Sequence, residues 1–172
     1  MPVRCKRYVI ARGYIREEAP LTKSLREIIS SGGKFLWKDE ISRRVVFRIS
    51  PKRLLQERFD FGEFTYEYNL LCIGVDKQLL LRKKNIKIIN KNNRRIVAYA
   101  VIAGRYALLE YKNNKLYIKI GAKSTVDKPP LILPPSAFLL RLEDLAEIED
   151  NLDIIRKELM GGGGCKPRER TL

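Results

Sequence analysis

Between Lys77 and Lys123, thirteen residues are Lys or Arg and a single one, Glu110, is acidic. The same stretch alternates apolar and polar residues at period two, the pattern of half-buried β-strands. Cations spaced this way are carried on a folded sheet surface. A basic sheet face either meets a polyanion or bears its own self-repulsion. The alternation predicts a meander of strands over Asn69–Val75, Gln78–Arg82, Lys87–Ile89, Arg95–Ala103, Tyr106–Lys112 and Lys115–Ile120. Gly104-Arg105 and Asn113-Asn114 are two-residue hairpin signals, because Gly and Asn tolerate positive φ. Arg95–Ala103 is apolar on both faces except at its ends, which predicts a central place in the sheet.

The N-terminal third adds strands and two short helices. From Val3 to Arg16, Cys5, Val9, Ala11 and Ile15 fall on one face of a strand, and Lys6, Tyr8, Arg12, Tyr14 and Arg16 on the other. Leu21, Leu25, Ile28 and Ile29 form one helical stripe after Pro20, stopped by Gly32-Gly33. Phe35–Trp37 and Arg43–Ser50 read as a strand pair, with Arg44 and Arg48 opposite Val45, Phe47 and Ile49. Pro51 opens a short helix to Arg58, and the aromatic run Phe59–Tyr68 reads as a link to the meander.

Toward the C-terminus, four prolines between Gly121 and Ser136 predict an extended linker packed by Leu131, Ile132 and Leu133. Ala137–Met160 then reads as one helix capped by Ser136. It holds seven acids against Arg141, Arg156 and Lys157, the reverse of the charge elsewhere. Phe138, Leu145, Leu152 and Leu159 recur at sevens, with Ile148 and Ile155 at d positions. That is a dimerising zipper seam of about three heptads or, equally, a stripe laid on the chain's own domain. The expected class is α+β: an N-terminal β-α-β-β unit joined to an antiparallel meander, then a zipper-like helix. The divisions are 1–125 for the basic domain, 126–136 for the linker, 137–160 for the helix and 161–172 for a mobile tail.

Composition narrows the function. A net charge of +15 and a pI near 9.9 point to nucleic acid. With no histidine, Ser-His-Asp, Cys-His and His-bearing metal sites are all excluded. Cys5, Cys72 and Cys165 are widely spaced and suggest neither a disulfide framework nor a zinc site. No apolar run reaches membrane-span length and no signal-peptide core is evident, so the chain reads as cytoplasmic, with no membrane partner. Two Met and two Gln among abundant Lys, Arg and Glu lean toward a thermophile; eight Asn lean the other way.

The hairpin Tyr106–Ile120 carries the sharpest expectation. With Asn113-Asn114 as its turn, Ala107, Leu109, Tyr111, Leu116, Ile118 and Ile120 face the core. Tyr106, Glu110, Lys112, Lys115, Tyr117 and Lys119 face out. Cations among aromatics offer charge for phosphates and π-faces for unstacked bases. The candidate nucleic-acid-binding set is Lys6, Tyr8, Arg12, Tyr14, Arg16, Arg44, Arg48, Lys112, Lys115, Tyr117 and Lys119. Neither a cofactor nor a metal is expected, and a homodimer through the heptad helix is one option. A basic α+β domain followed by a zipper helix resembles, in outline, the ThermoDBP single-stranded DNA-binding proteins of thermophilic archaea. That resemblance implies DNA held in a cleft of aromatic and basic residues, with the helix as dimeriser.

The sequence reads as a non-catalytic binder preferring single-stranded DNA or RNA. The binding rival is a structured-RNA or ribosome-associated basic protein. The enzyme rival is a nuclease, with Asp76 and Glu110 holding Mg²⁺ and Lys112 activating water. Acids at Asp60, Glu63 and Glu67 read as partners for nearby arginines.

Overall fold

The computed structural model describes residues 3–17, 33–39 (backbone), 43–57 and 61–159. The expected helix around Leu21–Ile29, the side chains of Phe35 and Trp37, Asp60 and Cys165 lie outside the described residues. The elements are β1 (Arg4–Ile15), β2 (Gly33–Asp39), β3 (Arg44–Ile49), α1 (Pro51–Glu57), β4 (Gly62–Ile73), α2 (Lys77–Arg82), β5 (Ile86–Lys91), β6 (Arg95–Ile102), β7 (Arg105–Lys112) and β8 (Lys115–Lys123). A 3₁₀ turn (Pro135–Phe138), α3 (Leu142–Asp150) and α4 (Leu152–Leu159) complete the chain. The strands make one eight-stranded sheet in the order β2-β3-β1-β4-β8-β7-β6-β5, and every neighbouring pair is antiparallel. The fold is α+β.

One face of this sheet is the core. Val9, Ala11, Val45, Phe47, Tyr66, Tyr68, Leu70, Leu116, Ile118, Leu109 and Ile96 are all buried on it. Two residues later in each strand the side chain returns to the same face, so alternation fills one side and leaves the other wet. α3 lies over β4 and against α1, and α4 lies over β6. Pro51 occupies the first turn of α1, where its missing N–H costs nothing, and Ser50 Oγ accepts from the Arg53 amide at 3.2 Å.

Several expectations are corrected. The Phe59–Tyr68 run is not a link but, from Gly62, strand: β4 runs twelve residues and pairs with β1 along its whole length. The sequence-based strand at Gln78–Arg82 is the helix α2, because Asp76 caps it, its carboxylate accepting from the Gln78 amide at 2.9 Å. The β6–β7 turn is Ala103-Gly104, one residue earlier than expected, with φ of 51° and 77°. Asn113 and Asn114 have φ of 52° and 63° and make the expected turn. β6 is next to the edge strand β5, not central. Its second apolar face, Val97, Tyr99 and Val101, is half-buried, and the Tyr99 ring stacks on Phe138 at 6.1 Å. Leu131 and Ile132 do not pack the linker; they are exposed.

Cys5 and Cys72 form a disulfide between β1 and β4, with Cα atoms 4.1 Å apart. They are direct register partners, a relation that a separation of 67 positions hides from the sequence.

The C-terminal region also departs from the single zipper helix. Phe138 sits in the 3₁₀ turn, on the wet side of the sheet beside Tyr99 and Lys119. A side chain at Gly121 would strike the Ala137 carbonyl at 2.2 Å, so glycine is what lets this turn lie on β8. Leu140 then pairs with Tyr66 through two backbone hydrogen bonds of 3.0 and 2.7 Å. It fills the β4 edge beyond the reach of β8 and carries the chain round to the core side. There Arg141 rather than Ser136 is the N-cap, and the helix breaks at Asn151. Leu145, Ile148, Leu152, Ile155 and Leu159 all pack into the chain's own core. The heptad stripe is a docking face, and the dimeriser implied by the ThermoDBP resemblance is not what these residues form here.

Candidate nucleic-acid interface

Strand register lays the wet face out as rows running across β3, β1, β4, β8 and β7. One row reads Lys6, Leu71, Tyr117, Glu110; the next reads Tyr8, Asn69, Lys119, Leu108. A third begins Arg48, Ile10, Glu67, and toward the far end Arg44, Tyr14 and Glu63 lie side by side. At the opposite end Lys115 and Lys112 face each other across the Asn113-Asn114 turn, with Arg95 beyond. Ten of the eleven candidate residues share this face. Arg16 lies just past the end of β1, exposed, its carbonyl accepting from the Arg43 guanidinium at 2.7 Å.

Three tyrosine rings on this face already carry a cation. Arg48 lies 3.9 Å over the Tyr8 ring, Lys112 is 5.4 Å from that of Tyr117, and Arg44 is 5.8 Å from that of Tyr14. Tyr14 is 53 % exposed, and with Arg12, Arg44, Glu63 and Thr65 it lines a depression of about 450 Å³. Burial raises the Tyr8 hydroxyl above its ordinary range, Arg48 pulls it back down, and the nearby Glu67 and Tyr117 push it up. Such a surface can hold phosphates on its cations and stack bases on its rings or on the Arg48 plane.

Three acids stand on the face among the described residues. Glu110 is ion-paired to Arg95, with Lys112 at 3.9 Å. Glu67 is 8 % exposed, 2.7 Å from Lys119 and 3.9 Å from Arg12. Glu63 is exposed at the rim. The reading of Glu63 and Glu67 as arginine partners holds for Glu67 with Arg12.

The nuclease grouping does not assemble. Asp76 caps α2 beside Tyr111, a core-face residue whose hydroxyl donates to the Val75 carbonyl at 3.3 Å. Glu110 and Lys112 project from the other side of β7. Among the described residues no three Asp, Glu, Cys or His side chains gather as a metal site.

Behind the sheet, the acids of α3 are matched to core-side cations. Glu149 lies 3.2 Å from Arg7 and accepts from the Tyr68 hydroxyl at 2.6 Å. Glu147 lies 2.6 Å from the buried Arg105 and 3.5 Å from Lys123, and Asp144 is 3.6 Å from Arg105.

Sequence reading missed Glu67, Asn69, Tyr99 and Phe138 as members of the wet face. The signal for the first two was present: from Gly62 onward Glu63, Thr65, Glu67 and Asn69 alternate against Phe64, Tyr66, Tyr68 and Leu70. Density of aromatics in that segment suggested a link rather than a strand. Phe138 carried no such signal, since its place depends on the close approach at Gly121.

Fold and face together define an α+β protein whose described residues leave an open, basic, aromatic sheet surface. The chain matches no family model, no curated protein and no solved structure. None of the helices among the described residues is long and apolar enough to cross a membrane.

Proposed function

We propose that this is a non-catalytic nucleic-acid-binding protein that prefers single strands and holds them across the open sheet face. The observation that carries the reading is the asymmetry of the two faces. The acidic helix α3 pairs with cations of one, while Lys6, Arg12, Arg48, Lys112 and Lys115 stand among Tyr8, Tyr14 and Tyr117 on the other. A shallow sheet suits unstacked bases, because each ring offers a π-face regardless of base identity. A rigid duplex presents phosphates but no free base faces, and gains less from these tyrosines.

A cytoplasmic setting belongs to the same proposal. It requires the Cys5–Cys72 bond to persist inside a cell, as disulfides do in intracellular proteins of hyperthermophiles, and the Lys- and Glu-rich composition agrees with that setting.

Fluorescence anisotropy with single-stranded DNA, single-stranded RNA and duplex of one sequence, across a salt series, tests the reading. Both single strands are expected to bind more tightly than duplex. The log–log salt slope should be about −3 to −4, for roughly four to six phosphate contacts. Tighter duplex binding would favour the structured-RNA or ribosome-associated alternative, and a flat salt response would remove the electrostatic basis altogether.

A further inference from the structure

Glu67 is out of place on a phosphate-binding surface. A carboxylate repels the backbone of a bound strand, and glutamate is seldom buried unless paired. Here it is nearly buried at the middle of the wet face, 2.7 Å from Lys119. Its neighbour Asn69 donates through Nδ2 to the Glu67 carbonyl at 3.1 Å and leans on the Glu67 carboxylate at 3.5 Å. Those donations engage the amide nitrogen with Glu67 and leave Asn69 Oδ1 as an acceptor. Lys119 is the register partner of Asn69 on β8, and Tyr8 is its partner on β1. A donor, Lys119 Nζ, therefore pairs with one acceptor, the Glu67 carboxylate, at 2.7 Å, and the cross-strand neighbour of Lys119, Asn69, carries a second, its Oδ1, beside the Tyr8–Arg48 stack.

Base edges differ in the complement they offer such a group. Guanine presents O6, N1–H and the N2 amino group in sequence: one acceptor, then two donors. Adenine and cytosine each follow their amino donor with a ring-nitrogen acceptor. Thymine and uracil set one N–H between two carbonyls. Only guanine places two adjacent donors next to an acceptor.

We infer that Glu67, Asn69 and Lys119 form a base-reading subsite selective for guanine, with O6 taken by Lys119 and N1–H and N2–H by the two acceptors. The inference rests on the single-strand reading above and adds a specificity to it. Glu67 in this role accepts from the base edge while Lys119 and Arg12 offset its charge toward the strand.

The test uses the full chain and labelled oligothymidines of about ten nucleotides, within the span one such site covers. Each carries guanine, hypoxanthine, adenine or thymine at its centre. Guanine should bind about tenfold more tightly than thymine or adenine, the scale of one well-made bidentate contact. Hypoxanthine, which lacks only the N2 amino group, should fall between. In Glu67→Gln and in Asn69→Ala the guanine-to-thymine ratio should drop toward one. Equal binding of all four probes by the parent overturns the subsite while leaving single-strand binding intact. Failure to bind any probe removes both. A guanine preference that survives unchanged in both variants shows that other residues read the base. If a variant does not fold by circular dichroism, the parent's guanine-to-hypoxanthine ratio decides, and a ratio of one overturns the assignment.

Discussion

The two sides of the sheet draw on the same residue types. The covered side holds Tyr66, Tyr68 and Tyr111 with Arg7, Arg105 and Lys123; the open side holds Tyr8, Tyr14 and Tyr117 with Lys6, Arg12, Arg48 and Lys115. What separates them is the acid content of α3. On the covered side Asp144, Glu147 and Glu149 meet the cations at 2.6 to 3.6 Å, and the tyrosines are buried beneath the helices. Among the described residues, the open side's three acids leave an excess of positive charge facing water. A basic chain can bury one cationic face by laying its own acidic segment over it. The other face keeps its charge for a partner.

The largest effect should come from the covered side. Ile148→Ala removes a fully buried side chain from the helix–sheet contact and should cost about 2–5 kcal/mol in denaturant unfolding. If the substitution costs almost nothing, α3 is not docked as described and the contrast between the faces collapses.

The Cys5–Cys72 bond ties β1 to β4, neighbours in the middle of the sheet. Reduction should lower stability by about 2–4 kcal/mol, as closing a long loop implies, seen as a fall in the denaturation midpoint. Unchanged unfolding under reductant would mean that the bond contributes nothing to holding these strands.

Alkaline pH should strike the covered side. Burial, aided by Glu143, pushes the Tyr66 hydroxyl from 10.0 up to about 12. Burial and the hydrogen bond to Glu149 raise Tyr68 in the same direction. Folded pKa values above unfolded ones contribute stability that is complete below pH 10 and lost as pH rises through about 12. Thermal unfolding followed from pH 9 to 12 should therefore show a falling midpoint across the upper part of that range. Tyr66→Phe should weaken the dependence.

Smallest in energy, and most direct for the open side, is a pair of substitutions on β8. Tyr117→Ala should cost about 1–3 kcal/mol of single-strand affinity with little change in salt slope, since no charge is lost. Tyr117→Phe should bind almost normally. Lys115→Ala should do the opposite, with a smaller loss and a slope shallower by about 0.7. Should Tyr117→Ala melt the protein, the ring is structural and the open face loses its stacking platform.

Much of the open face was legible locally. The alternation of Tyr106–Ile120 and the Asn113-Asn114 turn fix which side chains share a side, because a two-residue turn sets register and the strand period is two. The same holds for β1, where the faces of Cys5–Ile15 follow from spacing alone. Cations and tyrosines of the candidate site could be named on that basis before any strand was given a neighbour.

Neighbours were decided by tertiary structure. That β4 lies between β1 and β8 depends on burying Tyr66, Tyr68, Leu70 and Cys72 against distant strands, and this placement creates the disulfide and brings Glu67 to Lys119 and Arg12. Nothing within a window of a few residues encodes such pairings. The heptad stripe of Leu145–Leu159 is the clearest case: its spacing serves a zipper or a docked helix equally well. Only the apolar sheet surface waiting beneath it, with Arg7, Arg105 and Lys123 placed to meet its acids, selects docking, because burial and charge pairing are satisfied there within one chain.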